Sequence, residues 1–174
     1  LYDVPVIADS SYSVLNRRDF YVENVLVNRG KGRNIGVDIT LERYLNKGLY
    51  YMMTASIFDS KYYGGDRKWR NTLYNRNFIV NVLGGKEWMV GRDKQNMFSV
   101  NFKITLQGGD RYAPVDEVAT LLDPDREVQY DETKAFPKQF SPMFITNFSV
   151  GYKINRKKVS HEFAIKSLNT TGCE

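Results

Sequence analysis

The sequence predicts an all-β protein with about six long antiparallel strands. Hydrophobic and polar residues alternate with a period of two in several stretches, while the 3.6-residue period of amphipathic helices is almost absent. Short polar segments rich in Asn, Gly and Lys separate these stretches in pairs, as in β-hairpins. Aromatic residues make up 14% of the 174 residues, and this amount of ring surface argues against a disordered chain.

The clearest strand is predicted over Met97–Gln107. Apolar and polar side chains alternate along it without error, so one face of the strand is apolar and the other polar. The apolar residues are Phe98, Val100, Phe102, Ile104 and Leu106, and the polar residues are Ser99, Asn101, Lys103, Thr105 and Gln107.

Five further strands follow from the same pattern. Their polar faces carry Asp38, Glu42, Glu87, Lys153, Glu162 and Lys166. Two additional N-terminal strands are considered over Val6–Leu15 and Phe20–Asn28, although both stretches alternate poorly. The regular strands are Ile35–Glu42, Phe144–Ile154 and Val159–Lys166, and the less regular ones, in which bulky residues also fall on the polar face, are Leu49–Phe58 and Phe78–Trp88.

Strand lengths and connections are typical of an outer-membrane barrel. The predicted strands have about ten residues, whereas globular strands average about 5–6 and barrel strands need ~9–11 to cross a bilayer. Short turns at Leu45–Gly48, Gly91–Asn96 and Asn155–Lys157 alternate with two long loops, 59–77 and 108–142. Outer-membrane barrels have short periplasmic turns and long extracellular loops. Because small barrels begin at about eight strands, six long strands favour an arc of a larger barrel.

Aromatic residues are concentrated near the ends of the predicted strands, as in the interfacial girdles of membrane barrels. The opposing explanation is that these rings fill the core of a soluble sheet. Those near the short turns are Tyr44, Tyr51, Trp88, Phe98 and Tyr152, and those near the long loops are Phe58, Phe78 and Phe144.

Composition excludes several classes of function. No stretch approaches the ~18 consecutive apolar residues of a spanning helix. One cysteine, Cys173, and one histidine, His161, leave no disulfide framework and no Cys/His metal set. No catalytic triad, phosphate-binding loop or useful carboxylate pair is present, so we expect no enzyme, no cofactor and no metal site. The net charge of +5 is spread along the chain, so nucleic acid is not an expected partner.

Acidic residues cluster in the second long loop. Oxygen-rich loops can bind calcium, but this one lacks the EF-hand pattern with its central glycine, so a solvated loop is the preferred interpretation. The residues are Asp123, Asp125, Glu127, Asp131 and Glu132.

Several segments together resemble the TonB-dependent outer-membrane receptors of the Bacteroidetes type. The first resembles a Gly/Arg-containing loop that leads into a strand, and the second resembles the hairpin that follows it. The matching pieces run in order over nearly the whole chain and are residues 28–38 (NRGKGRNIGVD), 42–51 (ERYLNKGLYY), 69–72 (WRNT), 83–88 (LGGKEW), 108–116 (GGDRYAPVD) and 155–163 (NRKKVSHEF).

The resemblance implies that residues 1–174 are the C-terminal part of a receptor barrel of about 22 strands. The family's signal sequence, plug domain and last strand would lie outside this segment. The implied location is the bacterial outer membrane. The implied partners are outer-membrane lipid, the receptor's own plug domain and the TonB energy-transducing system, with a surface lipoprotein as a further candidate. The segment would contribute wall and loops to nutrient uptake, and the resemblance does not name the nutrient.

Aromatic side chains in the two long loops are the candidate substrate contacts. They could stack on a sugar, a peptide or a chelate, or they could only pack the loops together. The candidates are Tyr62, Tyr63, Trp69, Tyr74, Tyr112 and Tyr130, and the second loop also carries Phe136 and Phe140.

Two rival interpretations remain open at this point. One is a complete small outer-membrane barrel with a structural or adhesion role. The other is a soluble β-sandwich or lipocalin-like binding protein, in which the apolar faces would be buried against one another.

Overall fold

The computed structural model describes residues 1–16, 25–125 and 127–172 and confirms an all-β protein. One short helix, α1 (Glu117–Leu122), and two 3-10 turns accompany the strands. The strands are β1 (Val4–Val6), β2 (Val27–Asn46), β3 (Leu49–Tyr63), β4 (Trp69–Asn71), β5 (Phe78–Val90), β6 (Asn96–Gln107), β7 (Arg111–Tyr112), β8 (Lys138–Gln139), β9 (Met143–Asn155) and β10 (Ser160–Ser167).

The six predicted strands are confirmed as β2, β3, β5, β6, β9 and β10. The predicted long loop 59–77 is partly strand, because β3 extends to Tyr63 and β4 covers Trp69–Asn71. The strand order in the sheet is β1-β2-β3-β5-β6-β9-β10, and β4 pairs with the end of β3. Neighbours along this order are consecutive long strands, as in a meander. β7 and β8 form a separate two-stranded ribbon.

The short turns have the backbone conformations that their residues favour. Lys47 and Gly48 both have positive φ, 51° and 75°, which is the geometry of a two-residue hairpin turn. Gly91 and Lys94 take positive φ in the next turn. In the last turn the amide of Arg156 donates to the carbonyl of Val159 at 2.9 Å.

The prediction of an N-terminal strand over Val6–Leu15 is wrong. β1 ends at Val6, and Asp9 adopts a positive φ of 55° in a turn. Ser13 forms an isolated bridge with Val6, and a 3-10 turn covers Val14–Asn16. Of the second N-terminal candidate, residues 20–24 lie outside the described residues, as does Cys173; β2 begins only at Val27.

The chain divides into two compact units, to which β2 and β3 both contribute. The loop unit comprises Leu1–Val37, Ile57–Asn77 and Gly108–Ser141. The sheet unit comprises Asp38–Ser56, Phe78–Gln107 and the described part of Pro142–Glu174. The buried hydrophobic side chains among the described residues, Val4, Val6, Tyr62 and Ala135, all belong to the loop unit.

Candidate functional site

The sheet unit presents a largely apolar face, which Lys86 opposite Val100 and Thr146 opposite Ile104 interrupt. The registers of β5, β6, β9 and β10 align their apolar residues in rows across the strands, so the alternation within each strand becomes a surface. Large side chains of this face are exposed, including Phe102 (42%), Phe148 (46%) and Ile165 (81%). An isolated sheet in water would have to bury such a face against a second layer. No described residue of the sheet unit forms a buried hydrophobic core.

An aromatic row crosses this face close to the short turns. Trp88 of β5 is registered with Phe98 of β6, Phe98 with Tyr152 of β9, and Tyr152 with Phe163 of β10. The Trp88 and Phe98 ring centroids are 5.7 Å apart. The sequence predicted aromatic residues near these turns, and the register places three of the predicted rings side by side.

Polar side chains occupy the opposite face. The Tyr50 hydroxyl donates to Asn101 Oδ1 at 2.7 Å, and Asn101 Nδ2 donates to the Ser149 hydroxyl at 3.3 Å. Gly85 faces Asn101 in the register, and a side chain there would collide with both Asn101 and Tyr50. The predicted polar residues Glu87, Lys103, Lys153, Glu162 and Lys166 fall on this face in the registers of their strands.

Both lateral edges of the sheet unit are open. β10 pairs only with β9 within the described residues, and β1 pairs with β2 only over Val27–Gly30. The segment Asp38–Asn46 of β2 is therefore an edge, and so is Ser160–Ser167. Long edge strands with unpaired amide and carbonyl groups can pair with another chain and promote aggregation.

The loop unit contains a cleft of about 730 Å³. Its volume falls in the range of about 300–1,000 Å³ that is typical of small-molecule sites. Polar lining comes from Ser11, Ser13, Asn16, Asp110 and Arg111, and aromatic lining comes from Tyr12, Tyr62, Tyr112, Tyr130, Phe136 and Phe140.

The β7–β8 ribbon positions one wall of the cleft. Tyr112 of β7 stacks on Phe140, which follows β8, with ring centroids 4.4 Å apart and an interplanar angle of 28°. The amide of Phe140 donates to the Asp110 carbonyl at 3.0 Å. Arg76, from the long loop 59–77, joins that loop to the ribbon, because its Nε lies 2.6 Å from Asp110 Oδ1.

Arg111 contributes a positive charge beside the aromatic rings. Its Nε donates to the Asn75 carbonyl at 2.7 Å, one Nη donates to Asn77 Oδ1 at 2.8 Å, and the other donates to the carbonyl of Phe136 at 3.5 Å. Within the described parts of the chain, no carboxylate forms a salt bridge with this guanidinium. Burial lowers the pKa of Arg111 from its ordinary value, and the more distant charge of Asp59 opposes this.

The structure brings together three of the six predicted site residues. Tyr62, Tyr112 and Tyr130 line the cleft, although Tyr62 is almost fully buried. Tyr63 and Trp69 instead contact each other, with ring centroids 5.4 Å apart, and the Arg33 guanidinium lies 5.5 Å from the Trp69 ring. Tyr74 is half exposed and does not line the cleft.

Sequence reasoning missed Tyr12 and Arg111 as cleft residues. Tyr12 lies in the stretch Val6–Leu15, a possible strand that does not form, and no local pattern groups its ring with the long loops. Arg111 lies in the segment Gly108–Asp116, and its charge was not singled out there. The combination of two adjacent glycines, a basic residue and an aromatic residue in Gly108–Tyr112 is the signal that could have identified it.

A partly buried ion pair links the two long loops. Asp66 accepts two hydrogen bonds from Arg70, at 2.8 and 2.5 Å, and Arg70 also donates to the Thr133 carbonyl at 3.0 Å. The side chains of Arg70 and Asp66 are only 10% and 20% exposed. The hydrogen bond from Arg70 lowers the pKa of Asp66, and Asp66 in turn raises the pKa of Arg70.

Arg70→Gln is expected to destabilise the loop unit by about 2 kcal/mol near neutral pH, because hydrogen bonds to charged groups contribute about 1.5–3 kcal/mol. The lowered pKa of Asp66 means that its contribution is complete above the unfolded-state pKa of about 4 and is lost as the pH falls through the folded-state pKa. In urea unfolding measured from pH 7 down to pH 2, the free energy of unfolding should therefore fall less with acid in Arg70→Gln than in the wild type. The exposed Arg67→Gln is the control, and equal acid dependence in both variants would contradict the assignment.

Two residues of the acidic cluster, Asp123 and Asp131, accept hydrogen bonds from backbone amides of the second loop, as does the neighbouring Asp116. Asp116 caps α1 by accepting from the Ala119 amide at 2.9 Å, and Asp123 accepts from the Asp125 amide and from Gln129 Nε2. Hydrogen bonds from Thr133 and Lys134 lower the pKa of Asp131 to about 2. The described part of the chain contains no group of three or more His, Cys, Asp or Glu residues arranged to hold a metal ion.

Comparison of the chain with protein-family models, with curated proteins and with solved structures gives no match. The helical segments within residues 1–16, 25–125 and 127–172 include none with the length and hydrophobicity needed to traverse a bilayer.

Proposed function

We propose that this chain forms part of the barrel wall and surface loops of a TonB-dependent nutrient receptor in a bacterial outer membrane. The observation that carries the membrane assignment is the uncovered apolar face of the sheet unit, bounded near its short turns by the aromatic row of Trp88, Phe98, Tyr152 and Phe163. Lipid is the environment in which such a face needs no second protein layer, and aromatic rings are favoured at its boundary with water.

The open edges and the polar face support the larger receptor over a complete small barrel. In a barrel wall, Asp38–Asn46 of β2 and Ser160–Ser167 of β10 would each pair with a further strand, which removes the edges. The polar face, with its Tyr50–Asn101–Ser149 hydrogen bonds, would line the lumen against the plug domain and water. Coupling to TonB and a surface lipoprotein partner follow from the sequence resemblance. Nutrient transport would need the plug and the rest of the barrel.

Fractionation of source cells tests the receptor assignment directly. An antibody against the 108–142 loop should detect a band several times larger than 20.2 kDa in the outer-membrane fraction, and its mobility should change on boiling. A band of 20 kDa in the same fraction would instead favour a small structural or adhesion barrel. A soluble band of 20 kDa would overturn both membrane assignments.

The two tryptophans provide a test of which surface meets lipid. Within this sequence, Trp69→Phe leaves only Trp88 of the aromatic row, and Trp88→Phe leaves only Trp69 of the loop unit. In vesicles with brominated acyl chains, we expect the fluorescence of Trp88 to be quenched severalfold more than that of Trp69, because Trp88 lies at the edge of the apolar face. Equal quenching of the two variants would contradict the assignment of this face to lipid.

A further inference from the structure

We propose that the cleft of the loop unit binds a small carboxylate with a flat apolar body, and that Arg111 receives the carboxylate. This inference goes beyond the membrane assignment. Every residue that carries it belongs to the loop unit, and it can be tested whatever surrounds the sheet unit.

The flat apolar body follows from the lining of the cleft. Six aromatic rings contribute to it, and the stacked pair of Tyr112 and Phe140 presents a rigid wall. Tyr130, which also lines the cleft, is 56% exposed. Rings of this kind stack on planar groups with centroids about 4.5–7 Å apart, and such contacts add to the gain from burying apolar area. A cleft of about 730 Å³ accommodates a body of two or three fused rings.

The carboxylate follows from the charges around the cleft. Asp110 also lines it, but Arg76 lies 2.6 Å away and offsets the charge of Asp110. Asp59, whose charge reaches Arg111, is itself paired with Lys61 at 3.3 Å and Arg33 at 3.8 Å. Arg111 is therefore the uncompensated charge of the cleft among the described residues.

The guanidinium of Arg111 retains capacity for a ligand. Its protein partners are three acceptors, the carbonyls of Asn75 and Phe136 and the side chain of Asn77, whereas a guanidinium has five N–H donors. These bonds fix its orientation before a ligand arrives, and its planar fork matches the geometry of a carboxylate. Partial burial strengthens a charge-assisted hydrogen bond relative to one made in water.

The test compares two probes of equal shape, 2-naphthoate and 2-naphthamide, by isothermal titration calorimetry on the full chain. Naphthoate is expected to bind about tenfold more tightly, the ratio that corresponds to the weaker end of charge-assisted hydrogen bonding. Arg111→Gln should reduce this ratio to about one, while the control Arg92→Gln, in a turn of the sheet unit, should leave it unchanged. Tyr130→Ala should weaken both probes by a similar factor.

The affinities of the wild-type chain for the two probes test the site even if Arg111→Gln fails to fold. Equal affinity for the two probes, or no binding of either, would overturn it. A naphthoate preference that persists in a folded Arg111→Gln protein would also overturn it. Ring-proton shifts of Tyr112 and Phe140 on adding naphthoate are expected in NMR spectra, and their absence alongside measured binding would place the probe elsewhere and refute the site. None of these outcomes depends on where the protein resides in the cell, so they are separable from failure of the receptor proposal.

Discussion

Phe102→Arg is expected to destabilise the protein in a lipid bilayer by about 2–4 kcal/mol relative to Phe102→Ala, which is the cost of an arginine near the midplane of a membrane barrel. Phe102 lies in the middle of β6, four residues beyond Phe98 of the aromatic row. Its neighbours across the strands are Gly84 and Phe148, so it is at the centre of the apolar face. The comparison with alanine separates the introduced charge from the loss of the ring.

Ser99→Arg is the matched control for this prediction. Ser99 belongs to the same strand but to the polar face, where it is registered with Glu87 and Gly151. An arginine there meets a carboxylate and water, so we expect a change of less than about 0.5 kcal/mol. Denaturant unfolding of the protein in vesicles, followed by tryptophan fluorescence, measures all three variants. If Phe102→Arg is no less stable than Phe102→Ala, Phe102 does not face lipid.

The strand faces could be predicted from the sequence because each depends on a local pattern. Alternation over Met97–Gln107 assigns every side chain of β6 to a face without knowledge of its neighbours. The order of the strands in the sheet could also be predicted, because strands joined by short turns are neighbours in the sheet. The alignment of Trp88, Phe98 and Tyr152 in one row needed the exact registers, and the turns define these only to within a residue or two.

The first half of β2 shows where local patterns fail. Residues 27–34 contain Gly30 and Gly32 and do not alternate, yet β2 begins at Val27. A side chain at Gly30 would collide with Val6 and with the carbonyl of Val4, and one at Gly32 would collide with Leu15. These glycines therefore reflect contact with the N-terminal segment, a long-range feature that periodicity cannot reveal.

The residues that line the cleft were even harder to predict from the sequence. Tyr12, Tyr62 and Tyr112 each lie about fifty residues from the next, and only the folded loops bring them to one surface. Three of the aromatic residues that the sequence nominates in the two long loops, Tyr62, Tyr112 and Tyr130, line the cleft. Whether a given ring faces the cleft, as Tyr130 does, or packs on another ring, as Tyr63 does on Trp69, depends on tertiary contacts.

Gly108→Val is expected to destabilise the loop unit by about 3 kcal/mol, at the upper end of the usual range for overpacking. Gly108 is buried directly after β6, and a Cβ atom there would overlap the carbonyl oxygen of Arg76. That oxygen belongs to the backbone and also accepts a hydrogen bond from Gln139, so neither group can move aside without breaking the attachment of the β7–β8 ribbon. The substitution should therefore displace Arg111 and Tyr112 and abolish naphthoate binding together with the loss of stability.

Gly151→Val provides the comparison, because the atom that a Cβ at Gly151 would meet is the hydroxyl of Ser99, which can rotate away. We expect this variant to retain naphthoate binding and most of the stability of the wild type. Limited proteolysis between residues 108 and 141, combined with urea unfolding, measures both effects. If the segment 108–141 is as resistant to proteolysis in Gly108→Val as in Gly151→Val, the backbone contact between Gly108 and Arg76 does not hold the ribbon. The wall formed by Tyr112 and Phe140 would then need another support, because that contact and the Arg76–Asp110 pair join the ribbon to the loop of residues 59–77.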